Sequence, residues 1–181
     1  MFSLNKTPID GCYEINTNVA NDPRGFFVKC FNSNEFAMLN LEKNFQEEYY
    51  THSVKNVVRG MHFQIPPHDH AKLVYCISGE VFDVAIDLRI NSPTFMKVTE
   101  LFISSQKKNM AYIPRGVAHG FCVLSVEATL VYNVTSCYSR EHDLGVLWSS
   151  VPVFWPIKNC IISERDASFP KVQDFVSPFK Y

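Results

Sequence analysis

Apolar and polar positions alternate along much of this chain. After a Ser78-Gly79 break, Phe82, Val84, Ile86 and Leu88 share one face of an extended segment, and Asp83, Ala85, Asp87 and Arg89 share the other. Period two predicts a strand, and the glycine marks a bend between it and the apolar run from Leu73 to Ile77. Similar pieces run over 25–31, 45–53, 57–64, 97–104, 110–113, 119–124 and 128–136. One helix is predicted, Ser33 to Leu41, opening with Ser and Asn cap candidates and ending near Asn40. Many short strands with turn signals between them predict an all-β sandwich or small barrel.

Composition narrows the class. The chain has 181 residues, and with no repeat or linker it reads as one domain, 1–181. At 46% apolar and 19% charged residues it is not a disordered chain, and its 15 Phe and 8 Tyr favour strands. Lys and Arg total 17 against 18 Asp and Glu, so no global field attracts nucleic acid or an anionic membrane. Any anion site must be built locally from a few cations. No apolar run is long enough for a membrane span, and Met1-Phe2-Ser3-Leu4-Asn5-Lys6 lacks the layout of a secretion signal. Cys12, Cys30, Cys76, Cys122, Cys137 and Cys160 lie far apart with no C-x-x-C pair. They predict reduced thiols in a cytoplasmic protein, which makes the N-x-T strings at Asn5 and Asn133 chance matches.

The common catalytic signatures are missing: G-x-G-x-x-G, the P-loop, G-x-S-x-G and H-E-x-x-H. What remains is a set of polar residues embedded in strand-like segments. Arg59-Gly60-Met61-His62-Phe63-Gln64 places a cation and an imidazole three residues apart. His68, His70 and Lys72 follow at period two and share a face if that stretch is extended. Pro114-Arg115-Gly116-Val117-Ala118-His119-Gly120 is a turn that delivers another histidine to the next strand. Any one histidine is ordinarily a satisfied core or surface side chain. Taken alone, these spacings define an all-β protein with a polar pocket.

An ordered set of strings goes further. It comprises Asp22-Pro23-Arg24-Gly25-Phe26-Phe27, the Arg59–Gln64 string, Lys72-Leu73-Val74, Gly79 to Arg89, Ser92-Pro93-Thr94-Phe95, Ile113 to Phe121, Trp155-Pro156 and Ile162-Ser163-Glu164-Arg165-Asp166. Nearly end to end, the chain resembles the dTDP-4-dehydrorhamnose 3,5-epimerases, sugar-nucleotide enzymes with a cupin jelly-roll fold. The resemblance implies inversion at C3, C5 or both of a nucleotide-linked 4-keto-6-deoxyhexose, in deoxysugar and O-antigen biosynthesis. Such a reaction needs a base on one face, an acid on the other, and donors or positive charge at the carbonyl oxygen as an enolate develops.

By resemblance, His62 is the base, Asp166 the carboxylate that holds its other ring nitrogen, Tyr132 the acid, and Lys72 the cation near the oxyanion. His119 belongs to the same pocket, Arg59 and Arg24 match diphosphate contacts, and Tyr138 holds an aromatic base-stacking position. The competing readings are ordinary ones: Tyr132 as a strand tyrosine, Asp166 as a helix cap, Lys72 as a surface lysine.

The sequence departs from the family around the nucleotide. Ala20 stands where an aromatic is usual, Lys29 where a glutamate is usual, and Glu47 and Tyr49 where Gln and Asn are usual. Lys29 inverts the polarity of one base contact, so CDP rather than dTDP is the expected carrier, unless Lys29 points to solvent. The resemblance also implies a homodimer in which the Arg24 segment reaches a neighbouring subunit, and Phe26, Phe27 and Phe31 there are more apolar surface than a free arm should expose.

The resemblance implies no cofactor and no metal. Pro114-x-Gly116-x-x-His119 is similar to a metallo-cupin motif, but the acidic ligand expected after His68-x-His70 is replaced by Ala71-Lys72-Leu73-Val74. Readings left open are a metal-dependent cupin oxygenase, a ketoisomerase, and a sugar-nucleotide binding module without catalysis.

Overall fold

The computed structural model describes residues 2–181, and in it two antiparallel sheets face each other. One sheet runs in the order β1 (Ser3–Lys6), β2 (Tyr13–Asn16), β10 (Asn109–Ile113), β7 (Lys72–Ser78), β12 (Glu127–Val134) and β5 (Glu47–Val54). The other runs β13 (Asp143–Gly145), β6 (Val58–Gln64), β11 (Val117–Val123), β8 (Glu80–Asp87) and β9 (Val98–Ser104). A separate hairpin pairs β3 (Val19–Asp22) with β4 (Gly25–Val28). This is the jelly-roll sandwich that the resemblance implied, and one of the two all-β forms that the strand pattern left open. No helix among the described residues is long and apolar enough to cross a membrane.

The sandwich is buried on three levels. Val74, Cys76 and Leu130 of the first sheet meet Val81, Ala85 and Phe121 of the second to form the central core. The outer face of the second sheet, with Phe82, Val84, Ile86 and Leu88, is covered by Val151, Trp155, Val172 and Phe179 of the C-terminal segment. Hence β8 alternates in sequence yet is almost wholly buried: its second face also finds a cover. Phe2, Phe36 and Leu41 cap the outer face of the first sheet. Full burial of each large apolar side chain contributes about 1.5–3 kcal/mol.

The predicted strands all form, most within two or three residues of their expected bounds. The helix is shorter than predicted: α1 spans Ser33–Met38, with the Asn32 side chain accepting from the N–H groups of Asn34 and Glu35. Strands β1, β2, β3 and β13 are additions. They are three or four residues long and of mixed polarity, too short to display a period. His68 and His70 do not extend β7, which begins at Lys72; the chain through Pro66-Pro67 is irregular, so His68 leaves the expected shared face, while His70 and Lys72 still turn to the same side. Phe31 is not exposed as expected: it packs edge-on against Phe36 and Phe45 with centroids 5.0 and 5.1 Å away.

Two glycines set the spacing of the strands that carry the site. Gly60 has φ +134°, and a Cβ there would lie 2.5 Å from the Gly120 Cα. Strands β6 and β11 can approach this closely only because neither position carries a side chain. The pairing slips between His119 and Phe121, a bulge that leaves His119 directly opposite His62.

Candidate active site

A cavity of about 320 Å3 lies between the two sheets, a size suited to a small-molecule ligand. Strand alternation selects what points into it. On β5 the odd positions Glu47, Tyr49 and Thr51 line the cavity, while the even positions Tyr50 and Val54 are more exposed, at 73% and 52% against 38% for Tyr49. Arg59 and His62 enter from β6, Lys72 from β7, His119 from β11 and Tyr132 from β12. Tyr138, beyond the end of β12, closes one side.

Asp166 reaches this group from far along the chain. It sits in α2 (Glu164–Ala167), capped by the Ser163 hydroxyl, with its side chain turned inward and almost fully buried. One carboxylate oxygen accepts the Gly60 N–H at 3.0 Å, and the other lies 2.9 Å from Nε2 of His62. The approach to Nε2 is oblique, a close polar contact rather than a straight hydrogen bond. Burial alone would raise the Asp166 carboxyl, but contact with His62 and the Gly60 N–H outweighs it and holds the group below the usual carboxylate range. Asp166 is therefore an anion fixed against one ring nitrogen, which leaves the second nitrogen of His62 for the cavity. The Phe169 ring, edge-on at 5.8 Å, limits the tilt of the imidazole.

On the facing sheet, burial pushes the Tyr132 hydroxyl well above its ordinary pKa, so it stays protonated. Lys72 is buried, donates to the His62 carbonyl at 3.1 Å, and is brought down to about 8 by that burial. It remains cationic near neutrality and loses its charge as pH rises through about 8. If the reaction needs the ammonium, kcat/KM must fall above that pH. A pH–rate profile carried to about pH 10, near the ordinary lysine value, checks this; a flat profile contradicts it.

A second carboxylate–imidazole pair borders the cavity, with His119 lining it and Asp83 behind. His119 is buried with Nε2 2.7 Å from Oδ2 of Asp83. Asp83 was not among the expected site residues, although its place on the polar face of an alternating strand was a visible signal. Arg165 was also missed: it lines the cavity, bonds Asp143 at 2.8 Å and lies over the Phe169 ring. Gln64 and His70 line it too; burial drives His70 down to about 3, so it stays neutral. Arg59 is oriented by a bond from Nε to the Ser53 hydroxyl at 2.9 Å. Glu47 is committed to structure, since it accepts the Tyr138 backbone N–H at 2.7 Å.

Arg24 and Lys29 do not line this cavity. Both belong to the β3–β4 hairpin and the residues just after it: Arg24 is bonded to Asp22 with its side chain 90% exposed, and Lys29 faces a separate depression with Ala20, Phe27 and Glu35. Among the described residues, no three His, Cys, Asp or Glu side chains are grouped as metal ligands would be.

An imidazole backed by a buried carboxylate on one wall, and a buried neutral phenol on the facing wall, match the acid–base demands of epimerisation. Comparison with known proteins agrees. A family model described as dTDP-4-dehydrorhamnose 3,5-epimerase matches residues 6–174. The chain belongs to the dTDP-4-dehydrorhamnose 3,5-epimerase family. It is 41% identical over 172 residues to the Shigella flexneri enzyme of that name, covering 93% of this chain and 95% of the relative. A dTDP-4-dehydrorhamnose 3-epimerase from Streptomyces niveus is 35% identical over 161 residues, 87% of this chain and 78% of the relative. The crystal structure of dTDP-6-deoxy-D-glucose-3,5-epimerase from Legionella pneumophila, in complex with dTDP-4-keto-L-rhamnose, superposes with a TM-score of 0.95 at 31% identity over 100% of both chains.

Proposed function

We propose that this member of the epimerase family inverts C3, C5 or both of a dTDP-linked 4-keto-6-deoxyhexose, with 1–181 acting as a single domain. The observation that carries this reading is the placement of His62 and Tyr132 on facing sheets across one cavity, the arrangement that removal and return of a proton on opposite faces requires. His62 removes the proton next to the ketone. Asp166 fixes the imidazole and stabilises it once protonated. The enolate oxygen is met by Lys72, with His119 beside it, held from behind by Asp83. Tyr132 then delivers a proton to the opposite face, and both residues reset by exchange with solvent. Arg59 serves the diphosphate and Tyr138 the base.

CDP as carrier finds no support. The expectation rested on Lys29 alone, a residue of the hairpin segment that lies outside the cavity of its own chain. The relatives named above are described as dTDP-sugar enzymes. The test is turnover of a dTDP-linked 4-keto-6-deoxyglucose and its CDP counterpart, followed by NMR of the product epimers. Conversion of the dTDP sugar is expected; conversion of the CDP sugar alone would overturn the assignment of carrier, and conversion of neither would overturn the function.

The protein is further proposed to act as a homodimer. Phe26 and Phe27 are 63% and 65% exposed on a two-stranded hairpin, an element marginal by itself, and β5 is an edge strand. A second copy covering this hairpin would bring Arg24 towards a neighbour's cavity. Sedimentation at micromolar concentration is expected to give a dimer; a stable monomer would end the proposal. All six cysteines are free thiols, which supports the cytoplasm as the site of action. A deoxysugar for a bacterial surface polysaccharide is the end use proposed with it.

A further inference from the structure

Tyr49 stands directly opposite Tyr132 in the antiparallel pairing of β5 with β12. The two rings are stacked, with centroids 4.8 Å apart and planes within 13°. On another side, the His119 ring meets Tyr132 edge-on at 6.2 Å and 65°. The hydroxyl oxygen of a tyrosine lies on the axis of its broad terminal torsion, so rotation of the ring leaves the oxygen in place but turns the O–H, which lies in the ring plane. Packing against the ring faces fixes that plane and limits the sideways swing of the ring. His119 is itself immobilised by its 2.7 Å contact with Asp83. Tyr49 therefore supplies a flat wall that completes a clamp on Tyr132. Its own hydroxyl is pushed up to about 12, chiefly by burial, so the pair is two neutral phenols with no charge driving the rings apart.

We propose that Tyr49 is a positioning residue for the Tyr132 acid: its stacked ring holds the phenol in the one orientation from which the proton reaches the enolate face opposite His62. This inference rests on the reading of Tyr132 as the acid. Its consequence concerns partition rather than affinity. After His62 has removed a proton, the enolate can take one back on the same face, giving exchange without inversion, or from Tyr132, giving inversion. A misaligned phenol shifts this partition towards exchange.

The experiment measures deuterium uptake and inversion separately, in heavy water, on a dTDP-linked 4-keto-6-deoxyglucose. Tyr49→Leu removes the stack and is expected to lower the ratio of inversion to exchange by about tenfold, the value of one aromatic contact, with kcat for inversion affected more than KM. Tyr49→Met is the second variant, and thermal melts identify which of the two folds. Tyr49→Phe keeps the ring and is expected to hold the wild-type ratio, whatever it does to KM. A wild-type ratio in a folded Leu or Met variant would overturn the proposal. So would a loss in Tyr49→Phe as large as that in Tyr132→Phe, since Tyr49 would then be donating a proton itself. Tyr132→Phe, run alongside, separates the two levels: if it leaves the ratio unchanged, the acid assignment fails first and the role of Tyr49 with it.

Discussion

His62→Asn is expected to abolish deuterium exchange at every carbon of the substrate while leaving the dTDP sugar bound. The side chain becomes a polar amide that still offers an N–H towards Asp166 but has no basic nitrogen for the cavity. The buried carboxylate therefore retains the Gly60 N–H at 3.0 Å and a polar neighbour, so the link between α2 and β6 is preserved. Loss of a positioned base costs about 10²–10⁴-fold in rate. Exchange followed by NMR and affinity by calorimetry separate the effects: exchange falls to background and affinity shifts by no more than a few fold. Wild-type exchange in this variant would show that another group removes the proton.

Tyr132→Phe is the complementary case. The ring remains in its stack with Tyr49, so the cavity wall keeps its shape, and His62 with Asp166 is untouched on the facing sheet. Proton removal should continue. Return of a proton to the opposite face loses its donor, and inversion should slow by about 10²–10⁴-fold while exchange slows much less. The measurement is the ratio of product formed to deuterium taken up, on the same sample. Equal losses in both would mean that Tyr132 acts before or during abstraction, not after it.

How much of this was readable beforehand varies with the reach of each contact. Alternation over Phe82–Arg89 gave a strand because its two faces meet different surroundings, and it also exposed Asp83 as a polar residue facing inward. The Ser/Asn cap signal placed the start of α1 for a similarly local reason, with Asn32 as the residue that caps it. Asp166 is different. It lies 106 positions from the Gly60 N–H that it accepts, and no spacing rule joins α2 to β6; only resemblance to a family paired Asp166 with His62. The β3–β4 hairpin is a third case. Its residues were legible as a motif, but Arg24 and Lys29 project away from the cavity of their own chain, and the position of a hairpin relative to a sandwich is not written in its periodicity. His68 shows the limit of period-two reasoning, which holds only where the backbone is extended: past Pro66-Pro67 it is not, and the His68 ring ends up 4.5 Å from His142 rather than beside Lys72.

The central claim is that protons are removed from and returned to the carbons beside the ketone, and one measurement addresses it directly. The wild-type protein is incubated with a dTDP-linked 4-keto-6-deoxyglucose in heavy water, and deuterium and configuration are read at C3 and C5 by NMR. The account predicts solvent deuterium at one or both of these carbons, with inversion at each labelled centre. A bound sugar that takes up no deuterium at either carbon would contradict it.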